Sequence, residues 1–256
     1  MELVNMRERC SVIKMDVDVT NLDSVLHQVE ILALKKQGAY VCVSNVHMCI
    51  ETLDSNEFKQ VVNNADLVIP DGKPLSWAQK FLGFKEAKQV RGQDIMNALC
   101  AASGEERLNI GFYGGSSDEL LSTVKRKMIE TYPDIRISYA YSPPFRPLTL
   151  EEDEQVVEDI NNANVNVLFV GIGCPKQERW MAGHKDKLNC VMLGVGAAYD
   201  FIAGSKKHAP RWVQKIGMEW LFRLCSEPKR LWRRYLSTNP RFIWHFGKQY
   251  FKYLIK

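Results

Sequence analysis

Along this chain the spacing of apolar positions changes repeatedly. Short unbroken apolar runs closed by Gly, Asn or Pro predict buried strands over residues 39–46, 67–70, 108–113, 135–141, 165–171 and 190–196. Between them lie longer segments with apolar residues every three or four positions, predicting helices over 50–64, 94–103, 118–131 and 149–163. In 118–131 the apolar set is Leu120, Leu121, Val124 and Met128, one face of a helix. Thr149 stands where an N-cap belongs. Strands and helices alternating in this way predict an α/β fold with a parallel sheet covered on both faces.

In open parallel sheets, ligands bind beyond the carboxyl ends of the strands. The predicted strands end on Ser44-Asn45, Asp71-Gly72, Gly114-Gly115, Gly171-Ile172-Gly173 and Gly194-Val195-Gly196. Any one of these is an ordinary tight turn. Five in one alternating pattern favour a cleft for a nucleotide-type ligand, with backbone amides close to phosphate. Neither GxGxxG nor GxxxxGK[ST] occurs, so the usual dinucleotide and P-loop readings fall.

Charge adds a second surface to this picture. The net charge is only +4, but residues 205–256 hold thirteen of the 34 Lys/Arg and two of the 30 Asp/Glu. The remainder is therefore acidic, at about −7, and the tail strongly basic, at about +11. Four of the six tryptophans, Trp212, Trp220, Trp232 and Trp244, lie in that tail. Interleaved aromatics and cations suit an anionic lipid surface. The competing reading is core packing, expected for Trp220 and Leu221, with the membrane expected for the stretch 244–253. Nucleic acid is not expected, because no recognised nucleic-acid module accompanies the basic residues. Residues 1–18 are polar, without a signal-peptide core, and no apolar run is long enough to span a bilayer. Seven scattered cysteines without a CxxC pair point to a reducing compartment.

Candidate chemistry is sparse. Asp71 follows an apolar strand and precedes glycine, where a carboxylate can take a proton from a sugar hydroxyl or simply close a turn. The five histidines have no metal-ligand spacing, so neither a metal nor another cofactor is expected. In the segment 171–180, Pro175 suits a first helical turn. Lys176 and Gln177 then sit at a helix N-terminus, which favours an anion. Lys176 could neutralise a diphosphate and Gln177 could bond a sugar or base; a capped surface helix would look the same. Gly114, Gly173 and Gly196 are the candidate glycines for close ligand approach.

The strings GIGCPKQERW at 171–180, GVGAAYDFIAGSKKHAPRW at 194–212 and MEWLFRLCSEPKRLWRRY at 218–235 closely resemble the WecG/TagA/CpsF family of glycosyltransferases. PDG at 70–72 and RGQD at 91–94 extend the resemblance, which runs from about residue 12 onward. It implies a compact Rossmann-like fold of the GT-E type. A catalytic domain over 1–204 would carry a helical cationic appendage over 205–256 that touches the membrane. It also implies transfer with inversion and without a metal. Asp71 matches the family's catalytic base. Arg91 and Gln177 match residues near the active site, and Arg223, Arg230 and Arg233 match appendage arginines that engage the donor diphosphate. The family often shows Thr-x-Asn after the first strand, where this chain has Val43-Ser44-Asn45. Asn45 stays a site residue, and either Ser44 replaces the threonine or acceptor recognition differs.

The expected activity is transfer of N-acetylmannosamine from a UDP-sugar donor to an undecaprenyl-diphosphate-linked GlcNAc, in cell-surface polysaccharide or teichoic acid synthesis. UDP-glucose, or another hexose donor, for exopolysaccharide is the alternative within the class. A non-catalytic membrane- or nucleic-acid-binding module is the alternative outside it. The expected location is cytoplasmic, peripheral on the inner face of the bacterial membrane, with a homo-oligomer as a further expectation.

Overall fold

The computed structural model describes residues 8–105 and 108–255. Among the described residues, six strands form one parallel sheet, in the order β4-β3-β8-β7-β5-β6. These are β3 (Ala39–Ser44), β4 (Leu67–Pro70), β5 (Asn109–Gly114), β6 (Arg136–Tyr141), β7 (Val167–Gly171) and β8 (Val191–Gly194). A separate antiparallel hairpin precedes them, β1 (Arg9–Val12) and β2 (Met15–Asp18). The polar reading of residues 1–18 did not anticipate this hairpin, and residues 1–7 of that stretch lie outside the described residues.

The chain divides into two compact units. The first comprises residues 1–21, 44–90 and 208–256. It holds the hairpin, β4, α2 (Val46–Asp54), α3 (Asn56–Asn63) and α4 (Lys73–Phe81), followed by α10 (Arg211–Lys215), α11 (Glu219–Ser226) and the long α12 (Pro228–Leu254). The predicted single helix over 50–64 is two helices. Ser55 breaks it, closing α2 with its backbone N–H on Glu51 O and capping α3 with a hydroxyl that accepts from Phe58 N. One serine thus satisfies polar groups at both ends of the break.

Helix α12 is anchored along much of its length to its own unit. Arg241 donates both guanidinium nitrogens to the Asp54 carboxylate. Gln249 accepts from Ile13 N at 2.7 Å and donates to Ser11 O at 2.6 Å, gripping the hairpin. Phe242, Phe246 and Tyr250 stack in series on the inner side, and Tyr250 meets Phe81 at 5.5 Å between ring centroids. The expected core positions in α11 are not core. Leu221 is 38% exposed and Trp220 half-buried against Tyr235, because α11 is a two-turn helix with no fully buried residue.

The second unit comprises residues 22–43 and 91–207. Its strands β3, β8, β7, β5 and β6 run parallel. Its helices are α1 (Leu22–Leu34), α5 (Gly92–Ala102), α6 (Asp118–Thr131), α7 (Leu150–Asn162), α8 (Lys176–His184) and α9 (Ala198–Ala203). Strands β7 and β8 read VLFVG and VMLG and are almost wholly buried, as strands covered on both faces must be. Thr149 caps α7 as predicted, in a full capping box with Glu152.

Candidate active site

In the first unit, the site is built where β3 and β4 end. Ser44 O accepts from both Asp71 N, at 2.9 Å, and Gly72 N, at 3.3 Å. Ser44 Oγ donates to Ile69 O at 2.8 Å. The turn after β4 is therefore tied to the residue that closes β3, and Asp71 is held close to Asn45. A Cβ built on Gly72 would lie 3.5 Å from both Cα and Cβ of Asn45. From the other side, Gln89 Nε2 donates to Asp71 O at 2.6 Å and Val90 N to Pro70 O at 3.0 Å. The backbone of Asp71 and of its neighbours Pro70 and Gly72 is thus fixed by these four hydrogen bonds, while the Asp71 side chain remains half-exposed.

The structure shows what engages both Ser44 and Asn45. The Ser44 hydroxyl is fully buried and committed to β4. Asn45 is the N-cap of α2, its Oδ1 accepting from Met48 N at 3.2 Å, so its side chain already has a structural task.

The tail arginines share this unit with Asp71. Arg230 pairs with Glu227 at 2.6 Å and Arg233 lies over the Trp232 ring at 5.3 Å, both exposed to solvent. Arg223 is half-buried on α11. Sequence reasoning passed over Arg234 and His47. Burial, and then the charge of Arg234, lower the His47 pKa to about 4, so this imidazole is neutral around pH 7. Charge on a helix facing α2 was the available signal, but the pairing is tertiary.

The second unit holds Arg91, Gly114, Gly173, Lys176, Gln177 and Gly196. Arg91 precedes α5 and lies 3.6 Å from Asp94. Gly114 has φ of +120° and lies so close to Gly171 that a Cβ would meet that backbone at 2.6 Å, so only glycine fits. Gly173, also at positive φ, has nothing within 4 Å of a built Cβ. Lys176 is exposed at the start of α8. Gln177, one residue later, is only 3% exposed.

The Gln177 amide is occupied at both ends. Its Oε1 accepts from Gly173 N at 3.2 Å and its Nε2 donates to Glu178 Oε1 at 2.7 Å. The amide packs on β8, where a Cβ on Gly194 would meet Nε2 at 2.9 Å, and Gly196 lies just beyond. Glu178 was not singled out from sequence, since a glutamate in a first helical turn is commonplace. Here it is completely buried. Burial raises its pKa to about 7, opposed by hydrogen bonds from Gln177, its own N–H and Cys174.

The sequence model described as Glycosyl transferase WecG/TagA/CpsF family matches residues 10–255. Among similar curated proteins are two called N-acetylglucosaminyldiphosphoundecaprenol N-acetyl-beta-D-mannosaminyltransferase. One is from Bacillus spizizenii, 25% identical over 82% of this chain and 79% of its own. The other is from Staphylococcus aureus strain MW2, 26% identical over 96% of each chain.

Proposed function

The chain belongs to the glycosyl transferase WecG/TagA/CpsF family, and from that premise we propose that it transfers N-acetylmannosamine from UDP to a GlcNAc on undecaprenyl diphosphate. The Bacillus and Staphylococcus relatives, whose names state N-acetylmannosaminyl transfer on N-acetylglucosaminyldiphosphoundecaprenol, align over most of their own length. The observation that carries the chemistry is the fixed backbone around Asp71, with its carboxylate in a half-exposed turn beside Asn45. A general base must be held this rigidly to meet a hydroxyl in a productive geometry.

Asp71 takes the proton from the acceptor hydroxyl as that oxygen bonds to the anomeric carbon. The carbon–oxygen bond to UDP breaks on the opposite face, and its electron pair leaves with the diphosphate. The product configuration is therefore inverted. Arg223, Arg230 and Arg233 compensate the charge gathering on the leaving diphosphate, a task suited to the planar guanidinium. These assignments follow the family motif and the chemistry of the residues.

We further propose that the enzyme meets the membrane holding its lipid acceptor through the outer face of α12. Leu236, Ile243, Phe251 and Leu254 are all more than 60% exposed, and their spacing places them on one face. Trp244 flanks that face at 62% exposure, with the Lys248 ammonium 4.4 Å from its ring centroid. No described helix is long and apolar enough to cross a membrane, so the proposed contact is peripheral.

The deciding experiment measures UDP release from a panel of UDP-sugars with a soluble GlcNAc-diphosphate-lipid analogue. UDP-N-acetylmannosamine should be the preferred donor, and a clear preference for UDP-glucose would reassign the sugar. Asp71→Asn should retain the fold and lose roughly 10²–10⁴-fold in turnover. Near wild-type turnover in folded Asp71→Asn protein would remove Asp71 from the role of base.

A further inference from the structure

The turn from β7 into α8 contains a buried acid for which the proposed transfer chemistry has no use. Glu178 is completely buried, and its Oε1 accepts from the Gln177 side-chain amide. The same amide accepts from Gly173 N through Oε1, and Gln177 N donates to Gly173 O at 2.9 Å. Gln177 therefore holds both polar groups of the Gly173 peptide backbone, one with its side chain and one with its main chain. Rotating the amide by half a turn would set its NH₂ against the Gly173 N–H, donor against donor. It would also set its oxygen against the Glu178 carboxyl. Glu178 is thus what distinguishes the two amide orientations on the side away from the turn.

We infer that Glu178 is a positioning residue: through Gln177 it holds Gly173, and with it the turn after β7, in one shape. Its importance for catalysis rests on the transferase reading, in which that turn faces a ligand at the carboxyl end of the sheet. Its effect on the turn does not depend on that reading.

The surroundings of Glu178 make its ionisation observable. Strands β7 and β8, against which α8 packs, carry no titratable side chain. On α8 itself, His184 lies nearly two turns further on and is engaged by Asp153 of α7 at 3.0 Å. Gln177, the Glu178 backbone N–H and Cys174 supply the hydrogen bonds to the Glu178 side chain, and burial is the first cause of its raised pKa. Ionisation of Glu178 strengthens it as an acceptor for Gln177 and should register along the chain of bonds to Gly173.

The test uses the full chain labelled with ¹⁵N, observed by NMR from pH 5.5 to 8.5. The Gln177 side-chain NH₂ and the Gly173 backbone amide are expected to shift together with a common midpoint near pH 7. In Glu178→Gln, which keeps an acceptor but cannot ionise, both should stay flat across that range. Donor KM in the UDP-release assay should follow the same midpoint in wild type and lose it in Glu178→Gln. Signals that do not titrate in wild type, or that titrate equally in Glu178→Gln, would overturn the inference. If wild type released no UDP from any donor, the transferase reading would fail while the NMR result still decided the role of Glu178.

Discussion

Glu178 links stability to pH in a direction opposite to that of most carboxylates. Its folded pKa of about 7 lies above the ordinary glutamate value of 4.5. From about pH 4.5 to 7 the folded protein keeps a proton that the unfolded chain has already released, so this group's contribution falls as pH rises through that window and is level above it. Glu178→Gln removes the dependence. Thermal melts should show the variant gaining on wild type between pH 5 and pH 8, by roughly 3 kcal/mol at the upper end. A constant difference across that range would mean that Glu178 is already ionised at pH 5. The residues also differ in how visible they were beforehand. From its place after an apolar strand Asp71 read equally as a base or as a turn aspartate, and it was the family motif that singled it out. Gln177 was named as a ligand-facing amide, yet its burial and double engagement are properties of the folded turn. The burial of Glu178 and the pairing of His47 with Arg234 could not be read beforehand, since both depend on what the rest of the chain places beside them.

Among the elements, α6 was legible to its last residue and α7 to its cap, because periodicity and capping are local properties. The break at Ser55 was missed, since the apolar period of α2 runs on into α3 while the serine works through its hydroxyl. Helices α1 and α4 and the β1–β2 hairpin were missed as well, the hairpin because its two strands are only four residues each. The α7 capping box offers a direct measure of such local terms. Thr149→Ala removes the acceptor for Glu152 N and should cost about 1 kcal/mol in denaturant unfolding, leaving transfer unaffected. A loss well above 2 kcal/mol would show that the cap also holds the chain before α7.

For the molecule as a whole, the parallel sheet was legible from the alternation of patterns, and the acidic body and basic tail from simple counting. What could not be counted was that α12 has two apolar sides. The inner one is occupied by Phe242, Phe246 and Tyr250, and the outer one is exposed. Under the proposed membrane contact, replacing Trp244 and Phe251 with serine should weaken co-sedimentation with anionic vesicles while the fold survives, because both side chains lie outside the packed face. Binding by the intact protein should also weaken as salt rises, since basic residues supply part of the attraction. Equal sedimentation of wild type and the double variant would remove the outer face of α12 from the interaction.

The grip of Gln249 on the hairpin also bears on how the protein is made. Ile13 and Gln249 are 236 positions apart, and both belong to the first unit. A ribosome that has synthesised β1, β2 and β4 must still produce residues 91–207 of the second unit and most of α12 before that hydrogen bond can form. During translation the second unit, whose last residue is 207, has all its parts while the first is still waiting for its own. Of the two units, the one that carries Asp71 is thus finished after the other.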